Sequence, residues 1–352
     1  MAHLVTLIDK IAAYDDAGSW HGLMTENVGQ PKTLEEAFER SGLDWPVNVT
    51  PYRLEKLTQT EDGSELIMGA QSKYSRAVTT YHGDVQIELG TVGLQYTPLQ
   101  NAELFKAANP FVENGFGIYE TAGSIRCRRN VWVSLFIGLD YIDDDDPIAK
   151  RILFTNSHDG TSGLKAGFCP KRTECGNTLH ANLRDGRFLT VRHTGNVQEN
   201  FEKVVECMDV VNKKWIATMD DYRKLTKIVV RNDAFEQYVT RCFVPKLIER
   251  VEEHEAQMLA DSFTPEQVEA ARLQFQRDLV PNIRKSAISA RETAPGSHLK
   301  SAYGTAWGAY NAVTYLLSHI QGPNNEARAY GNLFGGEQSQ VGQRALRYAL
   351  QL

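Results

Sequence analysis

No window of this 352-residue chain approaches the roughly 18 consecutive apolar residues of a membrane-spanning helix, which excludes a helical membrane protein. The start, MAHLVTLIDK, lacks a charged region followed by a long apolar run and does not read as a signal peptide. Cysteine is scarce as well. Cys127, Cys169, Cys175, Cys207 and Cys242 are an odd number at irregular spacing, unlike a secreted disulfide framework. The expectation is a reduced, cytoplasmic protein with no membrane partner, in which the sequon Asn48-Val49-Thr50 is a coincidence. Also missing are a GxxxxGK[ST] phosphate loop, a strand–GxGxxG–helix unit and an HExxH helix. Gly115-Phe116-Gly117 has two glycines of a dinucleotide fingerprint, but the third is misplaced. Nucleotide-driven motors and nicotinamide enzymes are therefore disfavoured, and no cofactor is expected.

Net charge is low, at −6 with a pI near 5.9, which argues against indiscriminate binding to polyanions. The charge is uneven, however. Residues 121–231 hold 18 Lys and Arg against 14 Asp and Glu, whereas the remainder holds 20 against 30. Within the basic part, Asn156 to Asn196 concentrates polar side chains (Asn156, His158, Asp159, Asn177, Thr178, His193, Thr194, Asn196) beside short apolar runs. Buried polar groups must find partners or cost stability, so this stretch reads as the wall of a binding site.

Periodicity supplies the elements. Thr33, with Glu36 three residues on and Gly42 as a stop, predicts a short helix. Residues 45–96 alternate like strands, with Val85, Ile87 and Leu89 on one side and glycines between the runs. A helix is expected over Asn101–Ala108, closed by Pro110. A hairpin follows, Ile118–Ala122 and Ile125–Leu135, with its turn near Gly123 and with Arg126, Arg128 and Trp132 on one face. Asp143 to Asp146 read as an exposed acidic loop before a strand from Lys150 to Thr155. Helical patterns occupy 196–227, 234–259 and 301–320, and Thr264-Pro265-Glu266-Gln267 is a strong helix start. The Gly- and Asn-rich run 321–336 reads as a linker ahead of a short amphipathic helix that must dock on something, here a neighbouring subunit. The expected fold class is α+β, an antiparallel β-rich N-terminal core with a helical C-terminal part. Its expected divisions are an arm (1–32), an α+β core (33–232), a helical region (233–320), and a linker with a final helix (321–352).

Three chemistries are open to these residues. His158, Asp159, His180, His193, Cys169 and Cys175 include metal-ligand types, but their spacing matches neither a zinc knuckle nor a helical pair, so no metal is expected. General acid–base catalysis would fall to His158 with Asp159, or to His193. Against it stands a plain turn, with Asp159 accepting backbone N–H bonds and Gly160 at positive φ. Nucleic-acid binding would use Arg126, Arg128, Arg129, Trp132, Lys171, Arg172, Arg184, Arg187 and Arg192, cations that track phosphates beside an aromatic on which a base stacks. Its plainer counterpart is a solvated basic face.

Several runs are familiar in order: Trp20-x-Gly22-Leu23, Ser41-Gly42-Leu43-Asp44-Trp45, Leu89-Gly90-x-Val92, Tyr96-x-Pro98-x-Gln100-Asn101 and Glu120-Thr121-Ala122-Gly123. Asn156-Ser157-His158-Asp159-Gly160, Cys175-Gly176-Asn177-Thr178-Leu179 and Arg192-His193-Thr194 continue the series. Together they resemble a phage/plasmid-like family filed as a domain of unknown function, over roughly residues 20 to 230. Met24-Thr25 departs from it where a further glycine is expected. The resemblance implies a gene of a phage or plasmid, working in the host cytoplasm, and brings no catalytic residues. A sheet with a basic hairpin backed by helices also resembles, in architecture, the ring-forming single-strand annealing proteins of the Rad52 type. The expected function is thus single-stranded DNA binding by a homo-oligomer. The alternatives are an enzyme using His158, Asp159 and His193, and a counter-defence protein presenting Asp143 to Asp146 to a host complex.

Overall fold

A computed structural model of the chain describes residues 11–14, 23, 25–60, 63–180, 188–191, 208–244, 247–261 and 263–352. Two sheets and a set of helices make an α+β fold, strand-rich in its N-terminal half and helical in its C-terminal half. The larger sheet contains β1 (Ile11–Ala13), β2 (Glu26–Asn27), β6 (Ile118–Ile125), β7 (Asn130–Tyr141), β8 (Pro147–Ser157), β9 (Leu164–Phe168), β10 (Lys171–Arg172) and β11 (Phe188–Val191). Its order is β11-β9-β8-β7-β6-β1-β2, with β10 on β8, and every pairing is antiparallel except β1 with β2. The smaller sheet is β3-β4-β5, from β3 (Asn48–Thr60), β4 (Gly63–His82) and β5 (Val85–Gly93).

Strand periodicity divides the large sheet into two buried faces. Val131, Val133 and Leu135 of β7 join Ile152 and Phe154 of β8 in one core. That core is closed by α1 (Leu34–Ser41), by α2 (Asn101–Glu113) and by Val78, Leu89 and Val92 of the small sheet. Trp132 and Leu153 point the other way and meet Ala329, Leu333 and Phe334. Coverage on both sides explains why these strands carry near-continuous apolar runs instead of a clean alternation. Across β6, β7 and β8 a buried Arg151–Glu120 ion pair is completed by the Ser134 hydroxyl, 2.8 Å from Glu120.

Local signals behave as expected at α1, where the Thr33 hydroxyl accepts from the Glu36 N–H at 3.2 Å and Gly42 ends the helix at φ 68°. α2 differs, because it runs through Pro110 to Glu113. A proline inside a helix costs about 3 kcal/mol. Continuing buries Phe111, whose ring meets Phe154 with centroids 6.0 Å apart, and a buried Phe returns about 1.5–3 kcal/mol.

The hairpin differs too. Gly123 stands mid-strand, opposite Trp132 of β7 and Ile11 of β1, and the turn is Arg126–Arg129. The arginines therefore form the turn and do not alternate along a strand face.

The helical half comprises α3 (Met208–Leu225), α4 (Asn232–Phe243), α5 (Leu247–Ala260), α6 (Pro265–Leu279) and α7 (Pro281–Thr293). It continues with α8 (Ala306–Tyr315), α9 (Asn325–Leu333) and α10 (Glu337–Ala349). α6 carries the full capping box of Thr264 and Gln267. α8 continues into a π-helical turn, Leu316–Ile320. The span expected to be one helix from 301 starts only at 306, leaving Tyr303 exposed on a loop whose Ser301, Ala302 and Thr305 are buried.

The expected linker contains α9, which buries Ala329 and Leu333 against the sheet. The final helix docks on its own chain: Val341, Ala345, Leu346 and Ala349 sit in the same core as Trp307, Tyr310 and Tyr238. Its Gly342 is required by space, since a Cβ there would lie 2.1 Å from the ring of buried His180. Among the described residues no helix is long and apolar enough to cross a membrane.

Candidate nucleic-acid interface

The β6–β7 turn brings basic side chains together at a strand end. Ile125 pairs with Asn130, so four residues close the hairpin, and Arg126, Cys127 and Arg128 have φ of 56°, 54° and 67°. The left-handed region costs a residue with a Cβ about 1–2 kcal/mol, so three in succession need support from outside the turn.

That support is specific. The Arg126 N–H donates to the Glu326 carboxylate of α9, and its guanidinium reaches Asn130 at 3.0 Å and Asp159 at 3.1 Å. The same guanidinium lies 4.5 Å from the centre of the Tyr330 ring. Arg128 donates to the Tyr81 carbonyl at 2.8 Å, approaches His82 Nδ1 at 3.2 Å and covers the Trp45 ring at 5.2 Å. Arg129 is exposed.

The turn leans on the NSHDG segment at the end of β8. His158 is fully buried; its Nε2 donates to Asn101 Oδ1 at 2.9 Å, its Nδ1 faces the Asn156 amide at 3.5 Å, and its ring meets Trp45 edge-on. It ties the sheet to the start of α2. Asp159 accepts from the Ser157 hydroxyl and from the Thr161 N–H (3.0 Å) and hydroxyl (2.5 Å), and pairs with Arg126. Burial works against its charge, but those hydrogen bonds and Arg126 outweigh it and hold the carboxyl below the usual aspartate range. Gly160 adopts φ 75°. This is the turn reading, with the carboxylate spent on its own loop. The small sheet packs directly on it: a Cβ on Gly90 would stand 2.6 Å from the Asp159 Cα.

Among the described residues, the polar stretch that follows is interior wall, not site wall. Arg172 is 1% exposed, gripping Asp146 through Nε (2.7 Å) and a terminal nitrogen (2.8 Å). Asp146 also accepts from the Ser301 hydroxyl at 2.6 Å and the Trp307 indole at 2.8 Å. Asn177 donates to the Asn311 carbonyl and the Thr314 hydroxyl, both at 3.1 Å, and the Thr178 N–H donates to Ser318 at 3.1 Å. Burial pushes the Cys175 thiol up despite Arg172, which leaves it an inert core group.

The groove expected along the sheet is corrected on these points. Trp132 is fully buried, with its indole N–H on Thr121 at 3.2 Å, so no base can stack on it. Arg172 is committed to Asp146, and Lys171 stands with it on β10, away from the arginine turn. Arg184, Arg187, Arg192, His193, Thr194 and Asn196 lie outside the described residues. His158, Asn156, Asn177 and Thr178 are buried and face structural partners, so His158 cannot meet a substrate. The acidic loop is also only partly a surface, since Asp146 is its buried anchor while Asp143 to Asp145 are exposed. Trp45, His82, Glu326 and Tyr330 had no local signal, because each meets the turn from a distant part of the chain.

A family model described as a domain of unknown function, DUF932, matches residues 88–342. The chain belongs to this family. No curated protein and no solved structure matches it. The DUF932 region takes in the arginine turn, the NSHDG turn, the Asp146–Arg172 pair and α9, and leaves out α1, β3 and β4.

Proposed function

We propose that this DUF932 protein is a non-enzymatic binder of single-stranded nucleic acid, and that its contact is the arginine turn at one end of the large sheet. The observation that carries the reading is three guanidinium groups within four residues, two of them lying over aromatic rings. Guanidinium groups neutralise phosphates and stack on flat rings, the combination used to hold single strands without reading sequence. Arg126 is largely spent on Asp159, and Arg128 already donates to the Tyr81 carbonyl and covers Trp45, so the exposed Arg129 leads the contact. The wider reading is of a phage or plasmid protein of the annealing or recombination class, homo-oligomeric and working in the host cytoplasm. It rests on the ordered sequence landmarks and on architecture.

The test is fluorescence anisotropy of a labelled single-stranded oligonucleotide across a salt series. Affinity should fall with salt, by about 0.7 logarithmic units per logarithmic unit of salt for each phosphate neutralised. Arg129→Glu should weaken binding and flatten that slope without lowering the melting temperature, because the side chain is exposed. Absence of binding at low salt, or equal binding by Arg129→Glu, refutes the reading.

A further inference from the structure

Strands β3 and β4 outrun the sheet they belong to. β5 pairs with β4 only from Ser75 to His82. Among the described residues, Arg53–Thr60 pairs solely with Gly63–Gln71, so this part is a two-stranded ribbon with no third strand on either edge. Eight extended residues make it about 27 Å long. A two-stranded ribbon is marginal in water unless a further strand or a packed face supports it.

The ribbon sequence carries the apolar residues Leu54, Leu57, Leu66, Ile67 and Met68. Proline, one device that blunts an edge strand, occurs in β3 only at Pro51, at the base. Between 53 and 71 the chain has Arg53 and Lys56 against Glu55, Glu61, Asp62 and Glu65, which disfavours a polyanion or an anionic lipid surface as the occupant. What a bare edge recruits is another extended backbone.

We infer that the ribbon is an assembly arm whose partner is the ribbon of a second copy of this chain. An antiparallel, two-fold pairing of β3 with β3 covers the free β3 edge of both copies symmetrically. Centred near Leu54, it sets Arg53 opposite Glu55 of the other copy, an attractive cross-strand pair. The C-terminal helix, expected to be the subunit latch, is used by its own chain, and the arm takes that role instead. The arm lies outside the DUF932 region, so assembly and the conserved-domain fold are carried by separate parts of the chain. The inference rests on backbone pairing and not on nucleic-acid binding.

The test compares the full chain with a variant in which residues 55–68 are replaced by Asn-Gly, using light scattering across a broad concentration range. The full chain should reach at least twice the 39.5 kDa monomer mass, and the shortened chain should remain at one. A full chain that is monomeric throughout, or a shortened chain that keeps the larger mass, overturns the inference. Hydrogen exchange on the unaltered chain decides the matter if the variant fails to fold. Amides of residues 53–60 should be protected in the assembly and lose protection on dilution, whereas protection that persists in a monomer means the chain covers its own ribbon, and the arm is wrong. Oligonucleotide binding measured on the same samples reports on the nucleic-acid reading separately.

Discussion

Replacing Asp146 by alanine strips the counter-ion from a guanidinium that is 1% exposed. Asp146 is itself fully buried and accepts two bonds from Arg172, one from Ser301 and one from the Trp307 indole, joining the strand end at Pro147 to the loop at Ser301 and the helix that begins at Ala306. Removing one partner of a buried pair costs about 3–5 kcal/mol, because the other charge stays in the interior without compensation. Against a typical total stability of about 5–15 kcal/mol, that is about a fifth of it or more. Asp146→Asn keeps an acceptor near the two neutral donors and should lose less. Asp146→Ala with Arg172→Met removes the stranded charge and should recover much of the loss, so the two substitutions should couple strongly in a double-mutant cycle. The assay is urea unfolding followed by tryptophan fluorescence, since Trp307 lies inside the network. An Asp146→Ala variant within about 1 kcal/mol of the parent, the level of an exposed ion pair, would refute the argument.

Gly90→Ala should destabilise by about 1–3 kcal/mol, the cost of forcing a Cβ into the Asp159 backbone, while Gly93→Ala, with nothing within 4 Å, should stay close to the parent. Equal melting temperatures for the two variants would show that the small sheet does not press on the NSHDG turn. A pH dependence follows from Asp159, which hydrogen bonds and Arg126 hold below the usual range against its burial. A carboxyl lowered in the folded state adds stability above its unfolded value, about pH 4, and loses it as pH falls through the lower folded value. Glu120 acts in the same direction, since burial opposes its charge but Arg151 and Ser134 overcome that. Asp159→Asn should therefore flatten the fall in urea midpoint below about pH 4, and parallel profiles for parent and variant would contradict the assignment.

Short-range physics made part of this molecule legible. The caps of α1 and α6 are Thr33 with Gly42 and Thr264 with Gln267, and each works within a few residues, so the chain itself announces them. The α+β division was likewise written in strand and helix periods. Tertiary contact overruled local preference elsewhere: burial of Phe111 carried α2 through Pro110, and the pairing of Gly123 with Trp132 moved the turn onto the arginines. The site was the least legible part, because a basic residue looks the same in sequence whether it faces water or a carboxylate. Arg172 finds Asp146 twenty-six residues back, and Arg126 finds Asp159 thirty-three residues ahead.

Composition and pattern by themselves settled a fold class, the starts of α1 and α6, the strand-rich front and the absence of a long apolar run. Only the folded chain decided which cations are spent inside, that the last helix packs into the core of its own chain, and that, among the described residues, a two-stranded ribbon extends from the small sheet. The physical reason is range: caps and periods act over a few residues, whereas burial and ion pairing are set by neighbours that the chain meets only once it has closed on itself.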